Sequence, residues 1–445
     1  MKHLKYLIFT SFFIAGFSLI PLHSEKINLI LEFIQPSVSA EDLSGLKISG
    51  YGTLSATAHD RNTMHPVRDV SQAPENRFRT NFSALMDSRL GLQAHYRFNT
   101  DLDFVIQGVL RDQAYVTADN SLDFAYCSYR PTTWLELRAG RMGYDGFLMS
   151  DTRNLGYAYT WVRPPTEFYG WIPIFHIDGA DATFRIDGDD SNWRFRVQTG
   201  EQGFKFEFAD SEHDTETKGL YALTVSRQSG YLTLKAGYSN FKFKNEMDIF
   251  TPLHEGLDFV AEATEIALPE ISSEARSLRK ELKFKNTETD YFTLGASYDN
   301  GDWIAQAEIA HTSPTADVVP HGNMGYIALG YRIGDFTPYG IFAAIRPGMD
   351  IREPYSDWSI IDASELQLTA ISILNTTRMD QETISFGVRW DFHTQAALKF
   401  QIDSIHVSPL GHGLMYAKGA MLSKEGTLYE ESTMSLGTVS LEVMF

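Results

Sequence analysis

The chain has 445 residues, of which 43% are hydrophobic and 21% charged, and a formal net charge of −19. That composition excludes a disordered chain, and the charge argues against nucleic acid as a partner. The lone cysteine, Cys127, excludes an internal disulfide framework and a cysteine-based metal site, so neither a cofactor nor a metal is expected.

At the N-terminus, Lys2 and Lys5 precede the apolar run "YLIFTSFFIAGFSLIPL" (6–22), and "VSA" (38–40) offers a cleavage pattern. Basic, apolar, small is the order of a secretory signal, so residues 1–40 are expected to be a signal peptide. An uncleaved anchor is the competing reading, because "INLILEF" (28–34) adds a second apolar patch. Residues 1–40 hold three lysines and two acids, so their removal leaves a charge of −20. Beyond residue 40 no apolar run reaches the ~18 residues of a membrane-spanning helix.

The rest of the chain alternates with the period of two that a strand requires. "SRLGLQAHYRF" (88–98) sets Leu90, Leu92 and Ala94 against Arg89, Gln93 and His95. "NWRFRVQT" (192–199) sets Trp193, Phe195 and Val197 against Arg194, Arg196 and Gln198. "TISFGVRWDF" (383–392) sets Ile384, Phe386, Val388, Trp390 and Phe392 against Ser385, Arg389 and Asp391. About sixteen such segments are predicted, near 46–58, 84–98, 101–111, 122–130, 134–142, 176–186, 193–199, 220–227, 231–243, 290–299, 302–311, 324–333, 336–346, 382–392, 395–403 and 435–445. Short links such as Asn99-Thr100 and Asn300-Gly301 follow the even-numbered strands. Long polar connections are expected at 59–82, 143–174, 200–219, 244–288, 347–380 and 404–434. The fifth of the sixteen segments leads into 143–174. The stretch 252–283 within 244–288 reads as helical and broken at Pro269.

An even strand count, segments of about ten residues, and turns alternating with long loops describe an all-β, up-and-down antiparallel transmembrane barrel. A sixteen-stranded barrel encloses water rather than a packed core, so the arginine-bearing face is expected inside and the apolar face toward lipid. Residues 41–445 are read as that barrel.

The final "TVSLEVMF" ends in Phe445. Here the sequence resembles Gram-negative outer-membrane porins, whose last strand characteristically ends in an aromatic residue. "RAGR" (138–141) and "RNLGYA…WVRPP" (153–165) look like the large trimeric porin group that includes phosphate-selective and dicarboxylate-type channels. The resemblance implies a homotrimer in the outer membrane, in contact with lipid and lipopolysaccharide. It also implies that 143–174, the connection after strand five, folds inward as a constriction loop.

A porin does no chemistry, so no enzyme activity and no catalytic residue is expected. Small hydrophilic solutes and ions would diffuse through, selected by width and lining charge. The candidate pore-lining residues are Arg89, Arg138, Arg194, Arg196, Lys235, Glu308, Arg332, Arg389, Asp391 and Lys399. Glu136, Asp181 and Asp403 are further wall acids. The constriction loop offers Asp145, Asp151, Arg153, Arg163 and Glu167. Any of these can instead pair with a neighbour and stiffen the wall. Alternatives are a channel specific for organic acids or sugars, and a barrel enzyme using His406, Ser408 and His412 of "HVSPLGHG". "DGDDSN" (187–192) reads as a turn rather than a calcium loop, and "LHEGLD" (253–258) lacks the second histidine of a zinc-protease motif.

Overall fold

Sixteen strands close on themselves. The computed structural model describes residues 45–61, 64–72, 81–171, 174–208, 211–417 and 432–445. The expected signal segment lies outside the described residues. The strands are β1 (Leu46–His59), β2 (Arg89–Arg97), β3 (Leu102–Arg111), β4 (Leu122–Thr132), β5 (Leu135–Gly143), β6 (His176–Asp187), β7 (Asn192–Phe208) and β8 (Ser211–Ser229). They continue as β9 (Leu232–Phe243), β10 (Glu288–Asp299), β11 (Trp303–Pro314), β12 (Gly322–Tyr331), β13 (Phe336–Pro347), β14 (Gln381–His393), β15 (Ala396–Val407) and β16 (Ser432–Met444). Each pairs antiparallel with its chain neighbours. β1 closes the ring, with Tyr51 opposite Met444 on β16 and Leu46 opposite Tyr96 on β2. No strand edge is left open, which is what a sheet in lipid requires.

The outer face is apolar and bare. Leu54, Ile106, Leu294, Ile309, Phe386 and Ile402 are all more than half exposed. Rings gather where the strands meet the short turns. Trp134 stacks on Phe184, Trp193 on Phe195 and Phe336 on Trp390, while Tyr231 meets Tyr298 and Trp303 meets Tyr331. This is the aromatic girdle of a barrel at a membrane interface, and the alternation that hides Ser385 turns Ile384 and Phe386 toward lipid.

Two connections differ from expectation. Residues 200–219, read as a polar loop, continue β7 and β8 as a ladder in which Gln202 lies opposite Thr217. Its β8 half, residues 211–218, is polar throughout and carries no apolar alternation, whereas its β7 half alternates Phe204, Phe206 and Phe208 with Lys205 and Glu207, a strand signal that the sequence reading passed over. Residues 347–380, also read as a polar loop, contain a helix, α3 (Ser364–Thr376). In the β9–β10 connection, α1 (Thr251–Thr264) and α2 (Pro269–Glu281) pack together, with Pro269 opening the second. A proline is tolerated in a first helical turn, where its missing N–H has no partner to lose.

The interior is not uniformly polar. On β9–β13 the inward residues include Phe241, Tyr291, Met324, Tyr326, Tyr339, Ile341 and Ile345, all buried. They form one apolar cluster with Phe147, Phe168, Tyr169 and Trp171 of the β5–β6 connection. That half of the barrel is a packed core, whereas the sequence reading put water along the whole inner face. The strands "GNMGYIALGY" and "FTPYGIFAAIRP" are apolar on both faces, the mark of a strand buried on both sides.

Candidate constriction and its charged wall

The β5–β6 connection, described over residues 144–171 and 174–175, lies inside the barrel and is fastened at several points. Near its start, Asp145 accepts from Lys235 Nζ on β9 at 2.5 Å and pairs with Arg194 at 3.3 Å and Arg196 at 3.1 Å on β7. Burial pushes the Asp145 carboxyl up, but the Lys235, Arg196 and Arg194 charges outweigh it and leave it at about 2. Next, Glu308 on β11 accepts from the Leu148 backbone N–H at 2.8 Å and from the hydroxyls of Tyr169 and Tyr326. Gly295 on β10 makes this approach possible, since a Cβ there would sit 2.8 Å from Leu148 Cγ.

Farther along, the wall grips the loop backbone. Lys399 on β15 is fully buried and donates to the carbonyls of Gly156, Tyr159 and Trp161 at 2.7–2.8 Å. Arg389 on β14 donates to the Tyr157 and Tyr159 carbonyls at 2.8 and 2.9 Å while pairing with Asp391 at 2.8 Å. Arg89 on β2 donates to the Asn154 carbonyl and the Tyr159 hydroxyl, both at 2.6 Å. At Gly156 an added Cβ would meet the Glu442 carboxylate of β16 and the Arg89 guanidinium, so a larger residue there requires both side chains to shift.

The loop also sends charges outward to the wall. Arg163 donates to Asp87 at 2.8 Å, to Asp403 at 2.7 Å and to Thr438 at 2.5 Å. Burial disfavours its charge, but Asp87 and Asp403 hold it firmly protonated. Glu167 accepts from Gln381 Nε2 at 2.6 Å and from the Thr383 hydroxyl, and burial raises its carboxyl above the usual range. Arg153 lies 3.7 Å from the Phe175 ring centroid and donates to the Ile174 carbonyl. Asp151 alone of the five predicted loop residues is exposed.

Along the inner wall of β4–β7 three arginine side chains stay partly exposed, while Arg138 and Arg196 are buried. Side-chain exposure is 33% for Arg130, 37% for Arg185 and 34% for Arg194, against 0% for Lys399. Arg130 bonds Asp103, Arg185 bonds Glu136, and Arg138 chelates Asp181 through Nε and a terminal nitrogen. Six cations on β4–β9 (Arg130, Arg138, Arg185, Arg194, Arg196 and Lys235) share four carboxylates (Asp103, Glu136, Asp181 and Asp145). Within this strip of wall cations outnumber carboxylates by two, while beside it Arg141 pairs with Asp178 and Asp123 accepts from Asn154.

The predicted residues thus divide. Arg138, Arg194 and Arg196 lie on the strip. Arg89, Lys235, Glu308, Arg389, Asp391 and Lys399 lie at the loop anchors. Arg332 lies in the turn after β12, pairing with Asp299 at 2.6 Å. The sequence reading missed Arg130, Arg185, Asp87 and Glu442 as charged partners. Alternation alone could have found Arg185, which sits between the outward Phe184 and Ile186. Asp87 lies in an irregular connection with no period to reveal it. In "HVSPLGHG", Ser408 Oγ donates to Asp380 at 2.9 Å.

No protein-family model matches the sequence, and no curated protein matches it. Solved structures do resemble the barrel. The porin OmpF of Salmonella typhi is 12% identical, with a TM-score of 0.50 over 90% of this chain and 97% of that one. An outer-membrane protein of Vibrio cholerae, OmpT lacking one loop, is also 12% identical, at 0.49 over 90% and 100%. The anion-selective porin of Comamonas acidovorans is 13% identical, at 0.48 over 90% and 100%. At such identities the likeness to OmpF shows a shared fold, the sixteen-stranded porin barrel.

Proposed function

We propose that this chain is an outer-membrane porin of a Gram-negative bacterium, a water-filled channel for passive diffusion of small hydrophilic solutes and ions. The observation that carries the reading is the partly exposed arginine strip inside a closed, lipid-facing barrel. The loop is fastened to β2, β7, β9, β11 and β14–β16, and its exposed Asp151 and the exposed arginines of β4–β7 flank the remaining polar lumen. A solute there meets Arg130, Arg185 and Arg194, with Arg138 buried behind them on Asp181. The excess of cations favours anions, because fixed wall charge sets ion preference at close quarters. Arg89, Lys235, Glu308, Arg389 and Lys399 then serve to hold the constriction rather than to select. The resemblance to trimeric porins supports a homotrimer.

Liposome swelling tests this reading. Vesicles bearing the purified protein are expected to swell in arabinose and faster in succinate. No swelling in either would overturn it. A channel specific for organic acids is the second reading, favoured by the same arginines. It predicts swelling in succinate with almost none in arabinose.

A further inference from the structure

Away from the lumen, the helical cap holds an open cleft of about 1040 Å³ between α1 and α3. Its walls are apolar, with Ile249, Phe259, Val260 and Ala263 on one side and Leu366 and Ile373 on the other. The volume is that of a site for a small organic molecule. Phe259 is 72% exposed there, a large ring with no protein surface over it.

The cap around this cleft is well fastened, so the cleft is not a sign of loose folding. Buried Glu274 of α2 accepts from the Trp358 indole at 3.0 Å, from Gln367 of α3 at 2.8 Å and from the Tyr355 and Ser356 backbone N–H groups at 3.1 Å. Ser272 donates to the Ala261 carbonyl at 2.6 Å, locking α2 to α1. The two helices bordering the cleft are held by their other faces.

The charged groups lining the cleft are both acids. Asp362 and Glu365 stand at the start of α3, exposed, and among the described residues neither carboxylate has an ion-pair partner. No lysine, arginine or histidine lines the cleft. The surrounding segment 348–380 carries six acids and two arginines, so its field draws cations.

We propose that this cleft binds an amphipathic cation, an organic ammonium compound whose apolar body lies between α1 and α3 and whose charge meets Asp362 and Glu365. A neutral apolar molecule gains the walls but leaves the acids unanswered. An anion of the same shape meets repulsion. None of the strip's arginines lines this cleft, although Phe250, Leu253 and Val260 belong to the same apolar cluster as the constriction loop.

The test uses the full-length protein in zwitterionic nanodiscs, titrated with 1-pyrenemethylammonium, 1-pyrenemethanol and 1-pyrenecarboxylate, with empty nanodiscs subtracted. The ammonium compound is expected to bind at least about tenfold tighter than the carboxylate, the scale of two exposed charge contacts. Asp362→Asn with Glu365→Gln is expected to cost the ammonium probe about tenfold and to leave the alcohol unchanged. Asparagine tolerates the left-handed backbone at residue 362 (φ 55). Ala263→Trp and, separately, Thr369→Trp fill the cleft from opposite sides and are expected to abolish binding of every probe while channel conductance is unchanged. No binding above empty nanodiscs would overturn the proposal. So would equal affinity for ammonium and carboxylate, or binding that survives both tryptophan variants.

Discussion

At the residue scale, Asp145 is the loop's most heavily engaged acid. One carboxylate answers Lys235, Arg194 and Arg196. Its pKa of about 2 lies below the ordinary 3.8, so it stabilises the clamp fully above about pH 4. That contribution is lost as pH falls through about 2. Asp145→Asn leaves three cations short of an acid and should cost about 3–5 kcal/mol, as when one partner leaves a buried ion pair. It should also shift the reversal potential further toward anions, which a salt-gradient recording would detect. An unchanged potential would mean that these cations do not face the permeation path. Glu167 behaves oppositely. Burial raises its carboxyl, so its contribution is fullest below the ordinary carboxylate range and is lost as pH rises through the raised value. Glu167→Gln should therefore make the unfolding temperature less sensitive to pH above the ordinary carboxylate range, measured by heat-induced mobility change on a gel. Such roles were only half legible in the sequence. Alternation correctly turns Arg194, Arg196, Arg389 and Lys399 inward, but a period of two gives a face and not a partner. Lys399 looks like a wall charge until the loop's three carbonyls arrive, from residues some 240 positions away.

At the element scale, the β5–β6 loop has only single helical turns of its own, Gly156–Ala158 and Thr166–Tyr169, and is held by contacts with the wall. Arg163 is the cross-brace, since it joins Asp87 before β2 to Asp403 on β15. Arg163→Ala strands two buried acids and should destabilise the loop by about 3–5 kcal/mol. The expected result is larger, noisier single-channel conductance, and quiet steps of unchanged size would show that the loop is held elsewhere. In the cap, Glu274→Ala removes the acceptor shared by Trp358, Gln367 and Ser356. Amide exchange in α3 should rise while β1–β16 stay protected. Strand positions were well marked because lipid on one side and polar lumen on the other impose a strict alternation. Where one side changes, the signal fails. The β8 half of the β7–β8 extension is polar throughout and reads as loop, although Phe204, Phe206 and Phe208 alternate in its β7 half. β12 and β13 have apolar groups on both faces, which reveals a strand but hides that its inner side is packed rather than wet.

At the scale of the whole molecule, charge is segregated. The chain is acidic overall, yet cations outnumber carboxylates in its inner strip, so net charge says nothing about the pore. The barrel's closure, its bare apolar band and its ring of aromatics together place it across a membrane. β9–β13 are packed on their inner side, and in the proposed channel the partly exposed Arg130, Arg185 and Arg194 would line the remaining route. Planar-bilayer recording of the purified protein in a salt gradient tests that account most directly. Stepwise conductance with an anion-favouring reversal potential is predicted, moving toward zero when Arg185 and Arg194 are both changed to alanine. Absence of conductance steps, or a cation-favouring potential in the unaltered protein, would contradict it.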